Sequence, residues 1–94
     1  MPIIQGIQAR FRMKESEFIA LPQAEKVFLV LDQGQELMNR IYVYYNIKLY
    51  LYSDFYVEIW YKQTTNKIDK LIVVELEDVV HLYESQINIQ DIYS

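Results

Sequence analysis

The chain's one histidine, His81, lies close in sequence to two acids that could join it at a metal ion. Glu77 precedes it by four residues and Asp78 by three, so a helix would place the three side chains near one another. No cysteine or second histidine completes such a site. Solvated acids at a helix N-terminus explain the same residues, because they interact favourably with the helix dipole. We keep these three residues as candidate ligands and predict no metal or cofactor.

Carboxyl groups are concentrated at Glu75, Glu77 and Asp78, as a paired acid and base would require. General acid–base catalysis needs one carboxyl group in a pocket that raises its pKa, and the sequence here indicates no pocket. The serines lie in no nucleophile motif, and Gly6 and Gly34 stand alone rather than in a phosphate-binding loop. We therefore predict no catalytic residues and a protein that is not an enzyme.

Aromatic side chains dominate residues 41–62, which hold most of the nine tyrosines and the single tryptophan. Beside Arg40, Lys48 and Lys62, they are the ingredients of a sheet that stacks single-stranded nucleic acid. Glu58 among them and the net charge of −4 count against this ligand, since such binding relies on a positive groove. Nucleic acid is thus an alternative rather than the expected partner. A small apolar ligand held between the sheet and its cover is another alternative.

Composition bounds the class of protein. Ninety-four residues form a single domain with a small core, and 52% apolar with 23% charged residues is typical of a folded chain. The absence of cysteine favours a reducing cytoplasm. The N-terminal sequence does not resemble a secretory signal, and no apolar run reaches the length of a membrane span. We expect a soluble cytoplasmic protein without membrane contact.

Two elements are predicted before the aromatic segment. Residues 6–14 alternate apolar and polar side chains, which predicts an edge strand; a simple N-terminal extension over residues 1–20 is the alternative. A helix is predicted over residues 22–34, because Pro22 suits the first turn and Gly34 suits a left-handed residue after the last. We expect this helix to be more buried than a typical surface helix. Its predicted apolar stripe consists of Ala24, Val27, Phe28 and Leu31.

Residues 36–76 are rich in Tyr, Val and Ile, and their apolar and polar side chains alternate with a period of two. This pattern predicts antiparallel strands with short connections. Breaks are expected at Tyr45-Asn46, at Ser53-Asp54 and over residues 64–67. The predicted strands are residues 36–44, 47–52, 55–62 and 68–76.

The chain ends with a second predicted helix, from Asp78 as N-cap to Gln86, and a tail within residues 78–92. Together the elements predict one α+β domain over residues 1–94. Its sheet is a four-stranded antiparallel meander, or a five-stranded one with residues 6–14, and one helix packs on the aliphatic face.

The connection between the second and third strands decides which side chains share a face. A three-residue connection pairs Leu51 with Phe55 and keeps the aliphatic side chains together under the helix, whereas a two-residue Ser53-Asp54 turn mixes the faces. We predict the first arrangement. The other face then carries the interface candidates Tyr42, Tyr44, Tyr50, Tyr52, Tyr56, Trp60, Leu71 and Val73.

That aromatic face requires a cover, for which the C-terminal helix, the N-terminal segment and a second copy are the candidates. Exposed apolar patches usually mark interfaces, and Tyr and Trp are enriched there. Because two-fold homo-oligomers are common, we expect a homodimer or another protein partner at this face. We place its centre at Tyr50, Tyr56 and Trp60.

The segment DFYVEIWYKQTTNKIDKL, followed by HLYESQINIQDI, resembles a family of short uncharacterised bacterial proteins. The family has an aromatic-V-E-[VI]-W-Y strand, a polar turn, an I-x-K-I strand and a Y-L-x-x-I-D-I-like tail. The residues that match are Phe55, Tyr56, Val57, Glu58, Ile59, Trp60, Tyr61, Ile68, Lys70, Tyr83, Ile87, Asn88 and Ile89. The sequence departs from the family at Tyr45-Asn46, where a Gly-containing turn is the pattern. The resemblance spans residues 25–92 and implies a helix followed by a meander; the family has no known activity, so it implies no function.

Overall fold

The structure, a computed structural model, describes residues 12–86. A four-stranded antiparallel sheet carries helices on both faces, which confirms the predicted α+β class. None of the helices in this range is long and apolar enough to cross a membrane. The elements are α1 (Glu15–Ile19), α2 (Gln23–Gln33), β1 (Gln35–Tyr42), β2 (Tyr45–Tyr52), β3 (Phe55–Lys62), β4 (Ile68–Val74), α3 (Leu76–Val79) and a 3-10 helix (Val80–Gln86).

The four strands lie in sequence order, and each pairs antiparallel with the next. The bounds of β3 agree with the prediction. The β1–β2 turn is Val43-Tyr44 instead of the predicted Tyr45-Asn46, because those two residues pair with Lys62 and Tyr61 and so belong to the ladder between β2 and β3.

The β2–β3 turn contains only Ser53 and Asp54, so Tyr52 pairs with Phe55. The prediction that aliphatic and aromatic side chains occupy separate faces is therefore wrong. Ser53 adopts a φ of 58°, and its hydroxyl donates a hydrogen bond to the Met13 carbonyl oxygen at 3.0 Å, which holds the tighter turn. The face beneath α1 and α2, called the helix face, carries Tyr50, Tyr52, Phe55, Val57, Ile59, Tyr61, Leu71 and Val73.

The other side of the sheet, called the open face, mixes aliphatic, aromatic and charged side chains in the same way. Its residues include Met38, Arg40, Tyr42, Tyr45, Ile47, Leu49, Leu51, Tyr56, Glu58, Trp60, Lys62, Lys70, Ile72 and Val74. α3 and the 3-10 helix cover the part of this face around Leu49 and Val74.

The first helix, α1, was not predicted. It is held in place by Phe18, which is fully buried with its ring centre 5.3 Å from those of both Tyr52 and Phe55. Residues 12–14, just before it, are not in a strand. The rest of the strand predicted over residues 6–14 lies outside the described residues.

α2 confirms the helix predicted over residues 22–34, but of its predicted apolar stripe only Val27 packs against the core. Val30 is the side chain buried against the helix face, whereas Phe28 is 64% exposed and Leu31 is also exposed. The expectation of an unusually buried helix is therefore wrong as well. α2 packs on the helix face through Val27, Leu29 and Val30.

Gly34 ends α2 with an extended backbone, φ −82° and ψ 165°, and not with the left-handed one that was expected. Glycine is needed there for space, because an added Cβ would lie 2.5 Å from the Val30 carbonyl oxygen. We expect Gly34→Ala to lower the free energy of unfolding by about 1–3 kcal/mol, measured by urea denaturation. Gln33→Ala, at an exposed position one residue earlier, is the control and should change it by less than about 0.5 kcal/mol. Equal stabilities of the two variants would contradict the close approach.

The C-terminal helical turns begin earlier than predicted. α3 begins at Leu76, so Asp78 lies within the first turn instead of at the N-cap. Val79 and Tyr83, four residues apart, are the side chains that this segment buries on the open face. The tail predicted over residues 87–92 lies outside the described residues.

Candidate functional site

Polar contacts of the open face converge on Glu58, in the middle of β3, which is only 2% exposed. Its Oε2 accepts hydrogen bonds from the Tyr83 hydroxyl at 2.8 Å and from Arg40 Nη2 at 3.3 Å. Its Oε1 accepts one from Trp60 Nε1 at 3.1 Å. We call these four side chains the Glu58 network. Both carboxylate oxygens accept hydrogen bonds from protein donors, so Glu58 anchors side chains from β1, β3 and the 3-10 helix.

Arg40 joins β1 to this network and is almost fully buried itself. Its guanidinium carbon lies 5.5 Å from the centre of the Trp60 ring and 5.3 Å from that of Tyr83. Among the described residues, Arg40 Nε has no hydrogen-bond partner. Burying this N–H without a partner costs free energy, and cation–π attraction to the two rings offsets part of that cost. Arg40 is therefore held by Glu58 and by both rings together.

Burial, followed by the hydrogen bond to Glu58, raises the pKa of the Tyr83 hydroxyl above its ordinary value near 10. The folded protein therefore retains this proton at a pH where the unfolded chain loses it, and the stability that this contributes is present below about pH 10 and lost as the pH rises further. We expect the urea midpoint of the wild type to fall between pH 9 and pH 11, roughly the range around that ordinary pKa. Tyr83→Phe should flatten the fall. An equal slope for the wild type and this variant would contradict this role for Tyr83.

Trp60 also centres a group of rings on the part of the open face beyond the 3-10 helix. The Tyr42 ring centre lies 6.0 Å from it and that of Tyr45 5.2 Å, both edge-on. Lys70 Nζ lies 4.0 Å from the Trp60 ring centre, and the Tyr45 hydroxyl donates to Asp69 at 2.9 Å. We call Tyr42, Tyr45 and Trp60 the aromatic cluster. It is a partly exposed apolar surface with a cation beside it.

The hairpin that joins β1 to β2 projects the most exposed apolar side chains of the sheet. Four consecutive residues, Ile41, Tyr42, Val43 and Tyr44, are between 53% and 74% exposed. We call them the tip. Tyr42 joins the tip to the aromatic cluster on the open face, whereas Ile41, the preceding strand residue, points to the other side of the sheet.

Val43 has a φ of 54°, which L-residues with a branched Cβ rarely adopt. A positive φ at only the first of two turn residues is the pattern of a type II′ turn, where glycine is usual. We expect Val43→Gly to raise the free energy of unfolding by about 0.5–1 kcal/mol, measured by urea denaturation. Ile41→Gly, in the adjoining strand, should lower it by a similar amount. A loss of stability in both variants would show that Val43 is not strained.

The structure divides the eight predicted interface residues, so the prediction that they share one surface is wrong. Four of them, Tyr50, Tyr52, Leu71 and Val73, lie on the helix face in the hydrophobic core. Tyr42, Tyr56 and Trp60 lie on the open face, and Tyr44 lies in the tip. The two-residue turn after Tyr52 causes the division, because it shifts the register that the prediction assumed. Whether any of these residues contacts a partner stays a prediction.

Two residues of the tip, Ile41 and Val43, were missed as surface candidates. The signal in the sequence is IYVYY, an apolar run without the Gly, Asn or Asp that a hairpin turn normally contains.

The candidate metal ligands lie in the C-terminal helical turns, Glu77 and Asp78 in α3 and His81 in the 3-10 helix, and all three are exposed. Within residues 12–86, no three His, Cys, Asp or Glu side chains are grouped so that they could hold a metal ion.

Comparison with known proteins adds no assignment. No family model, curated protein or solved structure matches this chain. The resemblance to short bacterial proteins therefore stays a prediction. The tip, the aromatic cluster and the Glu58 network are the features from which a function can be inferred.

Proposed function

We propose that this protein is a small non-catalytic interaction module that self-associates through the tip and acts in a reducing cytoplasm. The observation that carries the proposal is the run of four consecutive apolar side chains, each more than half exposed, from Ile41 to Tyr44. Soluble proteins rarely expose such contiguous apolar surface unless it contacts something. The two tyrosines suit an interface, since they bury a large ring while keeping a polar end.

The strained backbone at Val43 supports the same proposal. Glycine would adopt this conformation at lower cost, yet the residue is a large apolar one with its side chain exposed. Strain of this kind is typically found where a side chain is needed for contact. Val43 thus adds apolar surface to the tip at the expense of stability.

A non-catalytic role is supported by the surroundings of the acidic side chains, one of them buried and two exposed. Glu58, the buried carboxylate, already accepts three hydrogen bonds from protein donors. Glu77 and Asp78 are exposed, whereas a carboxyl group that acts as general acid or base is usually enclosed in a pocket.

Analytical ultracentrifugation at micromolar concentration tests self-association. We expect the wild type to exceed the monomer mass increasingly with concentration, and Tyr44→Ser to weaken association about tenfold or more. Leu82→Ser removes an exposed apolar side chain outside the tip and should associate like the wild type. Unchanged association of Tyr44→Ser would contradict the proposal.

Single-stranded nucleic acid is a second candidate, favoured by Lys62 and Lys70 beside the aromatic cluster. Trp60 is the single tryptophan, so its fluorescence reports directly on this surface. If bases stack there, a thymidine oligonucleotide should quench the fluorescence, and salt should reverse the quenching. Lys70→Gln should weaken the effect. A fluorescence unchanged by the oligonucleotide at low salt would remove this candidate.

A further inference from the structure

A second apolar surface lies on the outer side of α2. Three exposed residues, Ala24, Glu25 and Phe28, and the half-buried Leu29, which also packs against the core, line a cavity of about 320 Å³, which we call the groove. Leu31, almost one turn after Phe28, is exposed and extends the apolar surface. The groove has room for a large side chain, and the tip presents four in succession.

Charge is distributed unevenly between the two surfaces. Near the tip, the sheet carries Lys62 and Lys70 and the β3–β4 loop carries Lys67, with Asp69 among them. α2, which bears the groove, carries Glu25 and Asp32 against Lys26, and α1 before it adds Glu15 and Glu17. The tip of one copy and the groove of another therefore attract each other, whereas two tips would place lysines against lysines.

Within one copy the tip does not fill the groove, because the tip side chains and Phe28 are all exposed. Gly34, just after α2, lies beside Leu51, at the end of the sheet where β1 starts. The tip follows the other end of β1, eight strand residues or roughly 25 Å from that start.

We infer that the tip of one copy inserts into the α2 groove of a second copy. This rests on the proposed function and names the site on the partner that the tip contacts. The contact is head-to-tail, so each copy retains one unused tip or groove until a ring closes or a chain grows.

Two variants separate the surfaces, and both alter exposed side chains. Tyr44→Ser disables the tip and Phe28→Ser disables the groove; Leu82→Ser serves as the control. Light scattering coupled to size-exclusion chromatography gives the mass, and circular dichroism verifies that each variant keeps its fold. We expect a concentration-dependent oligomer for the wild type and the control, and a monomer for each disabled variant alone.

An equimolar mixture of the two disabled variants decides the question. One intact groove and one intact tip remain, so the mixture should form a dimer and nothing larger. If Tyr44→Ser is monomeric but Phe28→Ser associates like the wild type, the groove is wrong while the tip still mediates association. If Tyr44→Ser associates like the wild type, the proposed function fails as well. If the wild type stays monomeric, the inference is overturned. The tip and the groove would then bind another protein or the chain's own terminal residues.

Discussion

Glu58→Ala is expected to lower the free energy of unfolding by about 3–5 kcal/mol, because it leaves a charge buried without its partner. Arg40 is almost fully buried and would lose its ion pair, while the Tyr83 hydroxyl and Trp60 Nε1 would lose their acceptor. Small domains are stable by only about 5–15 kcal/mol, so this variant should lose a large part of its stability. Urea denaturation followed by Trp60 fluorescence measures the change.

Glu36→Ala is the matched control for that experiment. Glu36 also pairs with a base, Lys48, at 3.8 Å, but both side chains are well exposed. Exposed pairs contribute about 0–1 kcal/mol, so this variant should remain close to the wild type. A loss at Glu58 no greater than the loss at Glu36 would show that the network contributes no more than a surface pair.

Phe18→Ala is expected to lower the free energy of unfolding by about 3–5 kcal/mol, the range found for truncating a buried phenylalanine. The ring is fully buried between Tyr52 and Phe55, and α1 is too short to persist without a tertiary contact. Loss of the ring should therefore also release α1 from the sheet. Urea denaturation gives the energy, and amide exchange of residues 15–19 reports whether α1 has detached.

Phe28→Ala makes the same chemical change on the exposed side of α2. At a protein concentration low enough to avoid association, it should alter the free energy of unfolding by less than about 1 kcal/mol. If Phe18→Ala and Phe28→Ala lower the free energy of unfolding equally, α1 is not docked on the helix face through Phe18.

Strand positions were predictable because Tyr, Val and Ile at a period of two leave few alternatives over residues 36–76. The bounds of β3 were predicted correctly, and those of α2 to within one residue at each end. What alternation cannot determine is the connection length. The turn at Ser53-Asp54 is one residue shorter than predicted, and that one residue exchanged the neighbours of every side chain on β3.

The candidate site was less predictable, since it depends on contacts between distant segments. Arg40, Glu58 and Tyr83 come from three separate elements, and no local pattern indicates that they meet. The tip was hidden for a different reason: Val43 occupies a turn position that normally requires glycine, so a reading based on turn residues placed the turn two residues later. The side of α2 that faces the sheet was predicted correctly only at Val27, because apolar residues occur on both sides of the helix.

The sequential order of the strands, β1-β2-β3-β4, has a kinetic consequence. Each ladder joins neighbours in the chain through a short loop, so little loop-closure entropy opposes it and the contact order of the sheet is low. The sheet can therefore form rapidly, one hairpin after another. The contacts that span the longest stretches of chain include those of the N-terminal segment with Ser53 and of Tyr83 with Arg40. These segments should dock last during folding and open first during native-state exchange, which would make the buried Glu58 accessible to water before the sheet itself unfolds.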